Sequence, residues 1–114
     1  MIDWEKFNET YQYYGSEIVG EIIDIWVAEY DDRLTTLTKN IAERDFKALD
    51  ETAHSFKGTV ANFYDPEPVK YAYKLEQIGK VDIPDDDMEE TFDQLKIASD
   101  KLLIELKEYR KNHS

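Results

Sequence analysis

Two histidines occur in this chain of 114 residues, and one of them, His54, stands where a side chain can react. It follows Ala53 in the run Phe46, Leu49, Ala53, Phe56, Val60 and Phe63, whose spacings of 3, 4, 3, 4 and 3 mark one face of a helix. At roughly 100° per residue, His54 points about 125° away from the mean direction of that face. It therefore faces solvent or a partner rather than the core. Lys57 follows within one turn, Gly58 stands at i+4, Ala61 at i+7, and Lys47 at i−7 on the same line. A neutral imidazole is a nucleophile near pH 7. An adjacent ammonium offsets the charge of a transferred phosphoryl group. Small residues beside the ring let a second protein approach to bonding distance. Gly58 costs about 1 kcal/mol inside a helix, and two explanations stand side by side: clearance for a partner, or packing against a neighbouring helix. His113, next to last, reads as a solvated tail residue.

Other chemistries fit less well. Glu51-x-x-His54 has the spacing of carboxylate-bridged di-iron bundles, but those need a second such motif and further inward glutamates. There is no Gly-x-x-x-x-Gly-Lys loop, no Gly-rich nucleotide fold and no second base near His54, so the chain has no recognisable means of binding ATP. The lack of cysteine excludes a disulfide scaffold, a thiolate metal site and a thiol nucleophile. Twenty-six acidic residues against 14 basic ones leave a formal charge of −12, which makes nucleic acid and anionic lipid poor partners. No apolar run approaches the ~20 residues needed to span a bilayer. Met1-Ile2-Asp3-Trp4-Glu5 lacks the basic-then-apolar layout of a signal peptide, and a cytoplasmic location is expected.

The elements that must hold His54 are helical. Eight Tyr, five Phe and two Trp supply core area despite 35% charged residues, and only four Gly and three Pro interrupt the chain. Trp4, Phe7, Tyr11 and Tyr14 suit one face of a short helix from Asp3 to Tyr14, closed by Gly15 with Ser16 as the next N-cap. Val19, Ile23, Trp26, Tyr30, Leu34, Leu37 and Ile41 predict a long amphipathic helix over about 17–43. Ile18, Ile22 and Ile25 widen its apolar face at the start, which makes that half the more buried. Gly20 within it permits a close helix approach. The third helix starts at the N-cap Asp45 and stops at Asp65-Pro66-Glu67-Pro68. A fourth runs from about Glu67 to Ile78, with Gly79 to end it. An acidic linker over 80–87 precedes a last helix bearing Met88, Phe92, Leu95, Ser99, Leu102, Leu106 and Tyr109. The expectation is an all-α protein, an antiparallel four-helix bundle with a short additional N-terminal helix.

On the third of these helices, Ala53-His54-Ser55-Phe56-Lys57-Gly58 resembles the Ala-His-x-Leu-Lys-Gly core of histidine-containing phosphotransfer (HPt) domains. The resemblance continues through Ala61-Asn62-Phe63. It also takes in the lead-in Ala42-Glu43-Arg44-Asp45-Phe46-Lys47-Ala48-Leu49 and, downstream, Leu75-Glu76. It implies one HPt domain over 1–114 that carries phosphoryl groups between receiver domains of a hybrid histidine kinase and a response regulator. By the same resemblance His54 is the phosphoacceptor, Lys57 steadies the phosphoryl group and Gly58 gives access. Glu76 matches a position often filled by Glu or Gln that hydrogen-bonds the imidazole; a solvated helix glutamate is the alternative.

The receiver is expected over Gly58 and Ala61, with Lys47 and Glu51 beside them. Such a protein is a stoichiometric carrier and not an enzyme; it binds no cofactor or metal of its own, and the receiver brings Mg²⁺. A monomer is expected, because the His54 face must stay open. Two positions depart from the family pattern: Phe56 replaces the usual Leu, and Tyr64 stands where many members have Gly. The competing possibility is a non-catalytic helical adaptor that docks a signalling partner with His54 incidental; the presence of both His54 and Lys57 goes against it.

Overall fold

The computed structural model describes residues 1–81 and 87–113. These form α1 (Trp4–Tyr11), α2 (Ser16–Ala42), α3 (Phe46–Val60), a 3-10 turn (Ala61–Phe63), α4 (Pro66–Val81) and α5 (Met88–Asn112), with no strand among the described residues. Helix α2 packs on α3, α3 on α4, α4 on α5, and α5 back on α2, closing a ring around one core. The connections are short, so consecutive helices run antiparallel and the fold is the expected four-helix bundle. The periodic residues fill its centre: Trp26, Leu37, Leu49, Phe56, Phe63, Leu75, Leu95, Leu102 and Leu106 are buried. Trp26 meets Phe56 edge-on at 5.3 Å. Each such side chain removed from water stabilises the fold by about 1.5–3 kcal/mol.

Local chemistry sets the element ends. Asp45 caps α3 by accepting from the Ala48 amide at 3.1 Å, as its sequence position predicts. Asp3 caps α1 in the same way through Lys6 N. Helix α1 stops at Tyr11, short of Tyr14, and Gly15 is the N-cap of α2 rather than the end of α1. The Gly15 carbonyl accepts from Ile18 and Val19, so Ser16 is already helical. Ile18 and Ile25 are 48% and 58% exposed, contrary to the expected burial of that flank. Each sits about 100° from the stripe, and the stripe itself, Val19, Ile23, Trp26 and Tyr30, is what α2 buries. Gly20 faces the Arg110 side chain of α5, whose guanidinium pairs with Asp24 at 3.2 Å. Of the acidic linker, Lys80 belongs to α4, and residues 82–86 lie outside the described residues.

Two residues adopt left-handed backbone. Tyr64, φ 58°, occupies that conformation at the end of the 3-10 turn, which explains why glycine suits this position elsewhere. The strain, about 1–2 kcal/mol, is offset by contacts with α1. The Asp3 amide donates to the Tyr64 carbonyl at 2.7 Å, Thr10 Oγ1 to the Tyr64 hydroxyl at 2.8 Å, and the Tyr11 hydroxyl to the Asn62 carbonyl at 2.8 Å. Arg44, φ 53°, closes α2, its amide and that of Asp45 bonding back to Ile41 and Asn40. Its ion pair with Glu89 at 3.6 Å joins two exposed side chains and contributes little. Arg44→Gly is therefore expected to stabilise the bundle by up to about 1 kcal/mol, read as a higher denaturation midpoint.

Gly79 does not end α4, which continues to Val81. Instead it lets α4 press against α3: an added Cβ would lie 2.6 Å from the Asp50 amide nitrogen and 2.8 Å from the Phe46 carbonyl oxygen. The approach lies on the side of α4 that also carries Glu76, one turn away.

Candidate functional site

Helices α3 and α4 pair in opposite directions, so Gly79 faces Asp50, Glu76 faces His54, and Tyr73 faces Lys57. His54 stands outward as its helix position predicts, with 70% of its side chain exposed. Its ring nevertheless leans onto α4, where Nδ1 hydrogen-bonds Oε2 of Glu76. The other oxygen of the same carboxylate accepts from Lys57 Nζ at 2.8 Å. Glu76 is buried, only 2% exposed, so it is not a solvated surface glutamate.

Burial pushes the Glu76 carboxyl upward. The hydrogen bonds from Lys57 and His54, with the charges behind them, outweigh that and hold it below its ordinary value. An ionised carboxylate only accepts hydrogen bonds, so the imidazole presents Nδ1–H to Glu76. Its lone pair is then on Nε2, the nitrogen left free on the exposed ring.

Gly58 is exposed, and a Cβ built on it would meet nothing within 4 Å. Of the two explanations for this glycine, packing against a neighbouring helix is removed. Ala61, one turn further on the same line, is also exposed and opens the 3-10 turn. Lys47 and Glu51 are exposed on α3, Glu51 at the edge of a shallow polar groove shared with α2. The structure thus brings His54, Lys57 and Glu76 into contact. It lays Gly58 and Ala61 beside them and leaves Lys47 and Glu51 on the N-terminal side of His54.

Two neighbours were not foreseen. Tyr73 lies with its ring 5.1 Å from the Lys57 ammonium, and its place three residues before Glu76 was the available signal. Arg33 of α2 donates to Ser55 Oγ at 3.3 Å while pairing with Glu29 at 3.0 Å. Nothing in the sequence pairs Arg33 with Ser55, because the contact crosses two helices.

Comparisons with known proteins bear on the family and the fold. The family model described as the Hpt domain matches residues 21–109. The chain belongs to the Hpt domain family. The crystal structure of histidine-containing phosphotransfer protein B (HptB) from Pseudomonas aeruginosa PAO1 superposes with a TM-score of 0.88, covering 97% of this chain and 95% of that one at 22% identity. At that identity the likeness is one of fold. No curated protein matched the chain. Membership in the family makes this Hpt domain a phosphotransfer intermediate of two-component signalling, a carrier rather than a catalyst. Among its described residues no helix is long and apolar enough to cross a membrane.

Proposed function

We propose that this Hpt domain accepts a phosphoryl group on Nε2 of His54 from the phosphoaspartate of one receiver and passes it to the aspartate of another. The observation that carries this is the shared Glu76 carboxylate, one oxygen on Nδ1–H of His54 and the other on Lys57. In the forward step the Nε2 lone pair attacks phosphorus, a P–N bond forms, and the P–O bond to the donor aspartate breaks with its electron pair leaving on the carboxylate. No proton moves: Nδ1–H stays on Glu76, and the ring takes a positive charge that this carboxylate faces. Glu76 then no longer needs Lys57, whose ammonium is released toward the arriving phosphoryl oxygens. The second receiver's carboxylate reverses the step and returns the electron pair to Nε2.

Both Glu76 oxygens are engaged by His54 and Lys57, so this buried carboxylate is not free for Mg²⁺, and in this reading the receiver brings the divalent cation. We place the protein in the cytoplasm as a monomer, with Lys47, Glu51, Gly58 and Ala61 under the docked receiver.

Chemical competence is tested without any receiver. The chain is incubated with phosphoramidate and followed by ³¹P NMR, with His54→Gln as control. A phosphohistidine signal in wild type alone supports the proposal; an equal signal in both removes His54 from it.

Gly58 gives a second check. Because an added side chain meets open space, Gly58→Ala is expected to stabilise the helix by about 1 kcal/mol. Gly58→Arg should keep the helical signal while slowing transfer from a receiver. An unimpaired transfer rate in the arginine variant would show that no body closes over this position.

A further inference from the structure

A groove of about 550 Å³ opens immediately beyond the Glu76–Lys57 pair, between α1, the 3-10 turn and α4. Ala61, Val69 and the half-exposed Tyr73 give it apolar walls, and Lys6, Lys57 and Lys70 come from three different helices to its rim. Such convergence of cations is notable on a chain of formal charge −12. The two carboxylates of the lining are already used. Asp3 caps α1, and Asp65 is 2% exposed and bonded to the Glu67 amide. The groove is continuous with the site: Lys57 belongs to both, and Ala61 lies on the line of His54 and Gly58. A body that clears Gly58 to reach Nε2 passes over Ala61 into it. The groove on the other side of α3, lined by Asp32, Arg33 and Glu51 among others, is polar and of mixed charge.

We propose that the α1–α4 groove receives the docking element of the receiver, an apolar side chain flanked by carboxylates, and that Lys6 and Lys70 select which receiver reaches His54. This rests on the phosphotransfer function above and names its partner's chemistry. Rim charges steer encounter and set specificity more than they hold the complex, which suits a carrier that must release each partner.

The test uses the full chain and the receiver domain that loads His54 fastest from a panel. The variants are Lys6→Glu/Lys70→Glu together and, separately, Val69→Asp. Each is assayed with that phosphorylated receiver and with phosphoramidate. The expected result is a roughly 10-fold higher KM for the receiver with loading from phosphoramidate unchanged. An unchanged KM in the lysine variant overturns the proposal, as does a larger KM effect from Arg33→Glu, which would make the α2–α3 groove beside Glu51, and not the α1–α4 groove, the main docking surface. No loading of wild type from either donor would instead overturn phosphotransfer on His54, and the groove proposal with it.

Discussion

Glu76→Gln is expected to slow phosphoryl transfer to His54 by about 10- to 100-fold with the bundle still folded. Glutamine has nearly the same shape, but its amide offers one acceptor and one donor in place of two acceptors. With its oxygen toward His54 it keeps the Nδ1–H tautomer and turns its NH₂ group on the Lys57 ammonium. With its oxygen toward Lys57 it turns NH₂ on Nδ1 and favours the tautomer whose Nε2 lone pair is lost. In neither orientation does a negative charge face the ring that becomes cationic. The pH dependence of stability separates this from a structural effect. The folded-state pKa of Glu76 lies below its ordinary value of 4.5, so its contribution is present above about 4.5 and is lost as pH falls through the folded-state value. Wild type should therefore lose stability more steeply than Glu76→Gln on that acid limb, measured by denaturant midpoints across pH. Parallel curves would show that the carboxylate is not held by Lys57 and His54 in solution.

Gly79→Val is expected to destabilise the bundle by about 2 kcal/mol or more, lowering the melting temperature by roughly 10 °C. The clash is with the backbone of Asp50 and Phe46, which no rotamer change relieves. Gly79→Ala should cost less, since the gain of about 1 kcal/mol in helix propensity opposes the same clash. Because Gly79 sits one turn from Glu76 on the packed side of α4, forcing the helices apart also lengthens the Glu76 contacts with His54 and Lys57. Transfer by the folded fraction of Gly79→Val should fall too. An unchanged melting temperature in the valine variant would contradict the close α3–α4 approach.

The sequence was most informative where periodicity alone decides the outcome. The stripe from Phe46 to Phe63 is buried throughout, and the angular position of His54 placed it outside the core. What periodicity could not show is contact between helices. Glu76 reads as an ordinary surface glutamate because charged residues are seldom buried without a partner; its partners, His54 and Lys57, lie 22 and 19 residues away. Gly79 reads as a helix end in the sequence because a glycine that stops a helix and one that lets two helices touch look alike in one dimension. Ile18 and Ile25 widen the apolar face of α2 in the sequence yet stay exposed, because an apolar flank is buried only where a neighbour covers it, and α2 packs on α3 and α5 alone of the ring. Tyr64 is the converse case: a tyrosine in place of glycine argues against a left-handed turn, yet the turn is present, held by α1.

The central claim is carriage of phosphate on His54 between receivers, and one transfer tests it most directly. A receiver domain bearing labelled phosphate on its aspartate is mixed with this Hpt domain and Mg²⁺, beside the same mixture with His54→Gln. Phosphohistidine carriage predicts an acid-labile, base-stable label on wild type alone, which a second, unlabelled receiver then removes. Label on neither protein across a panel of receivers would contradict it and leave the bundle as a docking adaptor with an incidental histidine.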